Sequence, residues 1–137
     1  MNINNNKISP LLFIVGIIVP ILIIYGQVYY FGFFNLDDNI YILYNYFVQE
    51  GFVLESIKHA WQYFQNPYYM PLTRLSFLID SSIYGMNPKG FHITNLLLHS
   101  LNSILVLYFL YLMTNEKWKS FFVALLFAVH PQHVEAV

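Results

Sequence analysis

Residues 11–34 read LLFIVGIIVPILIIYGQVYYFGFF, twenty-four positions without a charge, in which Gln27 is the only strongly polar side chain. About twenty such residues cross a hydrocarbon core ~30 Å thick, so the stretch predicts a membrane span over 10–34. Lys7 precedes it, as in a secretory signal, but no small-x-small cleavage site follows and the apolar run exceeds a signal core. The span is therefore expected to stay in the mature chain. The rest of the chain agrees: hydrophobic residues make up 58% and charged residues only 9%, against roughly a quarter charged in soluble domains.

Two further apolar runs follow. FHITNLLLHSLNSILVLYFLYLM predicts a second span at 91–113, and WKSFFVALLFAV opens a third at 120–137 that meets a polar motif, HPQHVEAV, before running a full length. The expected fold is all-α and polytopic, with three transmembrane helices, a polar tail at 1–9, a long outer loop at 35–90 and a short link at 114–119. Within the loop, Ile57, Ala60, Trp61 and Phe64 recur at helical spacing, as do Leu72, Leu75, Ile79 and Ile83. Gly51 and Gly85 stand where helices stop and Pro71 where one starts. Such helices are expected to lie along the bilayer surface, with Trp61, Tyr68 and Tyr69 at the interfacial level.

Lys7 and the Lys117 and Lys119 pair flank short connections, which places them and the N-terminus on the cytoplasmic side and the long loop outside. Cysteine is absent and the net charge is -1, so disulfides, thiolate metal sites and a nucleic-acid partner are excluded. The expected location is a multi-pass protein of the cytoplasmic membrane in a bacterium, or of the endoplasmic reticulum in a eukaryote.

Polar side chains mark the outer ends of these spans. Asp37 and Asp38 follow the first span; one would suffice to cap a helix running through Ile40 to Gln49, and the second suggests a general base or a carboxylate that could pair with a divalent cation, magnesium or manganese. His92 opens the second span, which also carries a polar stripe of Asn95, His99, Asn102 and Ser103, suited to interhelical hydrogen bonds. The third span rises ~1.5 Å per residue, which puts His130, His133 and Glu135 at the same outer level. Pro131 ends or kinks that helix, and imidazoles beside it could serve the freed carbonyls, hold a phosphate, or bind a metal. Arg74, the single arginine, could fork onto a phosphate or extend to lipid headgroups.

Taken together, LDDNIYI, YYMPLTRLSFLID, YGMNPKGFHITNLLLHSLNSILV and ALLFAVHPQHVEAV resemble, in this order and spacing, the N-terminal membrane region of a family of polytopic glycosyltransferases. Its members carry a C-terminal tetratricopeptide array and include the eukaryotic transmembrane O-mannosyltransferases and bacterial relatives. The resemblance implies a partial GT-C-type fold and transfer of a sugar, mannose in the eukaryotic members, from a polyprenyl- or dolichyl-phosphate donor to a Ser or Thr hydroxyl of an exported protein. It maps the acidic residue that serves as catalytic base or metal partner to Asp37 or Asp38, and Arg74, His92, His130, His133 and Glu135 to the donor phosphate or pocket. No 34-residue repeat is present, so the chain is expected to be a portion of such a protein. A non-catalytic membrane adaptor, and a transporter module with a His/Asn path, are the competing readings.

Overall fold

A computed structural model describes residues 9–34, 37–62 and 69–135, with the side chain of Glu135 not among them. All regular structure among the described residues is helical. The tail at 1–8, Phe64 and Tyr68 lie outside the described residues. The chain divides into two compact units, Met1–Gln27 with Asn95–Val137, and Val28–Thr94.

In the first unit α1 (Pro10–Tyr25) packs against α6 (Lys117–Ala128). Ser9 starts α1 by accepting the Leu11 amide, and Pro10 occupies the first turn, where its missing N–H costs nothing. Phe13, Ile17, Ile21 and Tyr25, four apart, form its buried face. The complementary face of α6 is Ser120, Ala124 and Ala128, also four apart and buried. Large residues on one helix thus meet small ones on the other, the arrangement that lets helices approach where lipid offers apolar groups no incentive to leave it. Phe13 is further boxed by the rings of Trp118 and Phe121 at 5.2 and 5.4 Å. The outward faces remain apolar: Leu12, Val15, Val19 and Ile23 on α1 and Leu97, Leu101, Leu105 and Leu112 on α5 (Pro88–Thr114) are exposed.

Two helical stretches are long and apolar enough to cross a membrane, Pro10–Tyr30 and Pro88–Thr114. The first continues from α1 into a 3-10 turn at Gly26–Tyr30, and the second starts ahead of the expected boundary. Helix α6 has 12 residues, roughly 18 Å, well short of a crossing. The link between α5 and α6 is tighter than expected: Asn115 turns the chain with φ 55°, and Lys117 and Lys119 already belong to the first turn of α6. Lysines there oppose the helix dipole; Lys119 pairs with Glu116 at 3.3 Å.

In the second unit α2 (Tyr46–Glu50) and α3 (Leu54–Gln62) pack on α4 (Pro71–Tyr84). Ile42, Val48, Ala60, Leu78 and Phe91 form its core. The helix expected through Ile40 to Gln49 is broken. Residues 39–43 form one wide turn closed by Tyr44 N–H on Asn39 O, and Asn45 then caps a new helix by accepting the Phe47 amide. Gly51 ends α2 with φ 79°, and a β-carbon there would stand 2.7 Å from Ser82 Oγ, so both backbone and space require glycine. Gly85 and Pro71 end and begin α4 as expected. The periodic apolar positions of α4 are divided, however. Leu72, Ile79 and Ile83 face outward, while Arg74, Leu78, Asp80 and Ser81 are buried.

Candidate functional site

In the second unit the acidic pair follows the non-helical segment at 31–34. Asp38 does not cap the following helix; its Oδ2 reaches back and accepts the Phe34 amide at 2.7 Å. That bond folds the carboxylate over the segment leaving the first span. Asp37 is exposed, so one aspartate is engaged by the main chain and its neighbour faces outward.

His92 approaches the same segment from α5. Its Nε2 stands 3.4 Å from Gly32 O, a long contact, and next to it the rings of Phe91 and Phe33 pack at 5.4 Å. Within this unit His92 meets Gly32 and Asp38 meets Phe34, two residues further along the chain.

Arg74 is only 5% exposed. It lies in the first turns of α4 close enough to His59 to depress that imidazole's pKa, a shift caused first by burial and second by the guanidinium. His59 itself lies flat on Phe47, ring centroids 3.7 Å apart.

Asp80 closes the phrase YYMPLTRLSFLID, yet the sequence by itself assigns it no role. It is 4% exposed and accepts Thr94 Oγ1 at 2.6 Å. Burial raises its pKa, and the Thr94 bond only partly opposes this. The available signal was a carboxylate at an apolar position, in LSFLIDSSI.

The first unit gathers three imidazoles at the end of α6. Pro131 cannot continue the amide ladder, and the Gln132 amide turns to His130 Nδ1 at 3.3 Å. The Ala128 carbonyl is met instead by His99 Nε2 at 2.9 Å, and the His130 carbonyl accepts the Tyr25 hydroxyl at 2.9 Å. A carbonyl only accepts, so His99 carries its proton on Nε2. His133 packs against His99 and Phe127, ring centroids 5.0 and 4.5 Å away, and His130 stands 6.1 Å from His133 with its side chain exposed. The polar stripe of the second span is therefore put to mixed use. His99 bonds across helices, Ser103 Oγ returns to His99 O within its own helix, and Asn102 is exposed beside an open apolar groove of about 540 Å³ walled by Leu105, Val106, Phe109, Leu112 and Phe127. Glu135 ends the closing 3-10 turn, Pro131–Glu135.

Among the described residues no three acidic or imidazole groups converge as metal ligands. Asp37 and Asp38 supply two carboxylates, and one oxygen of Asp38 is already bonded to an amide.

No family model and no solved structure matches the chain. Curated proteins do. Protein O-mannosyl-transferase TMTC2 of Homo sapiens is 39% identical over 69 residues, covering 50% of this chain and 8% of that protein. Protein O-mannosyl-transferase TMTC1 of Mus musculus is 43% identical over 70 residues, 50% of this chain and 7% of its own length. Protein O-mannosyl-transferase TMTC4 of Homo sapiens is 41% identical over 83 residues, 50% of this chain and 11% of its own length. The matched stretch is thus a small part of each relative. Over about half of its length this chain, helical among the described residues and with two helices of membrane length, is similar to the TMTC protein O-mannosyl-transferases.

Proposed function

We propose that this chain is part of a membrane glycosyltransferase that moves a sugar, mannose by analogy with its named relatives, from a polyprenyl- or dolichyl-phosphate to a protein hydroxyl at the outer face of the membrane. The observation that carries the reading is the pairing of that similarity with an outward-facing carboxylate, Asp37, beside a segment held by Asp38 and touched by His92.

The two aspartates divide the work. Asp37 takes the proton of the acceptor hydroxyl as its oxygen attacks the anomeric carbon and the bond from that carbon to the phosphate oxygen breaks. Asp38, fixed on the Phe34 amide, shapes the main chain that presents Asp37. The departing lipid phosphate gains negative charge, which imidazolium or guanidinium groups stabilise most when they are fixed in advance; His92, Arg74, His130 and His133 are the candidates, with Glu135 as a pocket residue. A transporter path is disfavoured because His99 and Ser103, the buried polar groups of α5, are spent on carbonyls.

The test is sugar transfer by the full-length protein. Asp37→Asn should lower kcat by about 10²- to 10⁴-fold, the usual worth of a general base. Asp38→Asn should do less harm than Asp38→Ala, because an amide oxygen still accepts the Phe34 N–H. Unchanged transfer in Asp37→Asn and Asp38→Ala alike would remove the acidic pair from the reaction and favour an adaptor.

A further inference from the structure

Asp80 lacks an obvious structural reason to be acidic. At 4% exposure it accepts one hydroxyl, from Thr94, and among the described residues no basic group forms an ion pair with it. A buried carboxyl with so little compensation is costly compared with an apolar side chain of similar size, so its retention calls for a gain elsewhere.

The gain lies in what it connects. Helix α4 is a fixed post: Leu78 is buried in the core, Ser81 Oγ donates to Val48 O, and Ser82 Oγ accepts the Phe52 amide at 2.7 Å. The outer turns of α5 rest on this unit through Phe91, whose ring meets Phe33 and Phe77 at 5.4 and 6.3 Å. Ring contacts of that kind tolerate sliding and rotation. The Thr94 bond to Asp80 does not, because at 2.6 Å it fixes both distance and direction. At ~100° per residue, Thr94 shares a face with Phe91 while His92 points to nearly the opposite side. Turning the helix about its axis would therefore carry His92 away from Gly32 O, where it now stands at 3.4 Å.

We propose that Asp80 is a positioning residue: by accepting the Thr94 hydroxyl it sets the rotation of the outer turns of α5, and so fixes where His92 meets the segment from Gly32 to Asp38. The proposal rests on reading that segment as part of the transfer site. Asp80 touches no reacting atom; it acts through Thr94 and His92. The acceptor oxygen, rather than a charge, is what the role requires, so Asn should replace Asp80 and Ala should not.

The experiment joins a geometric readout to a kinetic one in the full-length protein in membranes. Cysteines are placed at Gly32 and His92 on a background cleared of others, to which this chain contributes none; position 32 has open space for a side chain. The yield of a short bis-maleimide cross-link between them reports the register directly and needs no substrate. Asp80→Ala and Thr94→Val should each cut that yield severalfold, the double variant no further, and Asp80→Asn should restore it. In the otherwise unaltered protein, Asp80→Ala should lower kcat by on the order of ten- to a hundredfold with KM little changed, as expected for a displaced catalytic neighbour. An unchanged cross-link in Asp80→Ala, or equal loss in Asn and Ala, overturns the proposal. Should Asp80→Ala fail to reach the membrane, Thr94→Val alone carries the test. The expected cross-linking pattern in a protein that transfers no sugar would sink the transfer reading and leave the positioning role standing.

Discussion

Two carbonyls explain why an apolar run should end in His-Pro. Pro131 stops the amide ladder of α6, and oxygens left at a helix end inside a bilayer must find donors within the protein. The Ala128 oxygen finds His99, and the His130 oxygen, which already accepts the His133 amide at 3.0 Å, also takes the Tyr25 hydroxyl. An intramembrane hydrogen bond contributes on average about 0.6 kcal/mol, and a bond whose loss strands a buried acceptor costs about 1–3 kcal/mol. Tyr25→Phe, which leaves the His130 oxygen its bond from the His133 amide, should therefore destabilise the full-length protein by only about 0.5 kcal/mol, and His99→Leu by about 1–3 kcal/mol, since it strands the Ala128 oxygen and removes a ring packed on Tyr25, Phe127 and His133. Denaturant titration in micelles checks both, and no loss in His99→Leu would mean that water serves the Ala128 carbonyl. At this scale the sequence exposed the need, because proline next to histidine in an apolar run is visible on inspection. It left the donors unnamed: Tyr25 lies 105 residues from its acceptor, and no local pattern relates them.

The elements follow from spacing, but their pairings follow from size. The fourfold repeat of Ser120, Ala124 and Ala128 on α6 opposes bulky residues at the same interval on α1. Ala124 is wholly buried at this contact, and Gly16 stands so near Phe121 that a β-carbon there would lie 3.1 Å from the ring. Ala124→Leu should then cost about 1–3 kcal/mol by overpacking, whereas Leu126→Ala, on the exposed side of the same helix, should be nearly neutral; thermal inactivation of the purified full-length protein separates the two. Equal effects would mean that α1 and α6 do not meet on this face. In α4 the apolar period was read correctly as a helix, yet the buried side proved to be the one with Arg74, Asp80 and Ser81. Periodicity finds a stripe without saying whether protein or lipid covers it, and for a helix beside a membrane an apolar face can serve outward.

For the whole molecule the expectation that can be tested first is topology. With the long loop outside, Asp37→Cys in the full-length protein should react with an impermeant maleimide added from the outer side of intact cells or vesicles, and Asn115→Cys, in the link between α5 and α6, only after permeabilisation. Reaction of Asp37→Cys from the cytoplasmic side alone would invert the arrangement and end the proposed site. What the amino acids determined unaided was chemical class and element type: the dearth of charge, two runs of membrane length without a charged residue, stops at Gly51 and Gly85, and a resemblance to the O-mannosyltransferases. Tertiary structure alone decided which polar groups are engaged. It turned Asp38 back onto the Phe34 amide, buried Arg74, and bonded Asp80 to Thr94. The reason is physical: hydropathy and period are properties of a residue and its near neighbours along the chain, whereas a hydrogen bond depends on distances between groups that only packing brings within 3 Å.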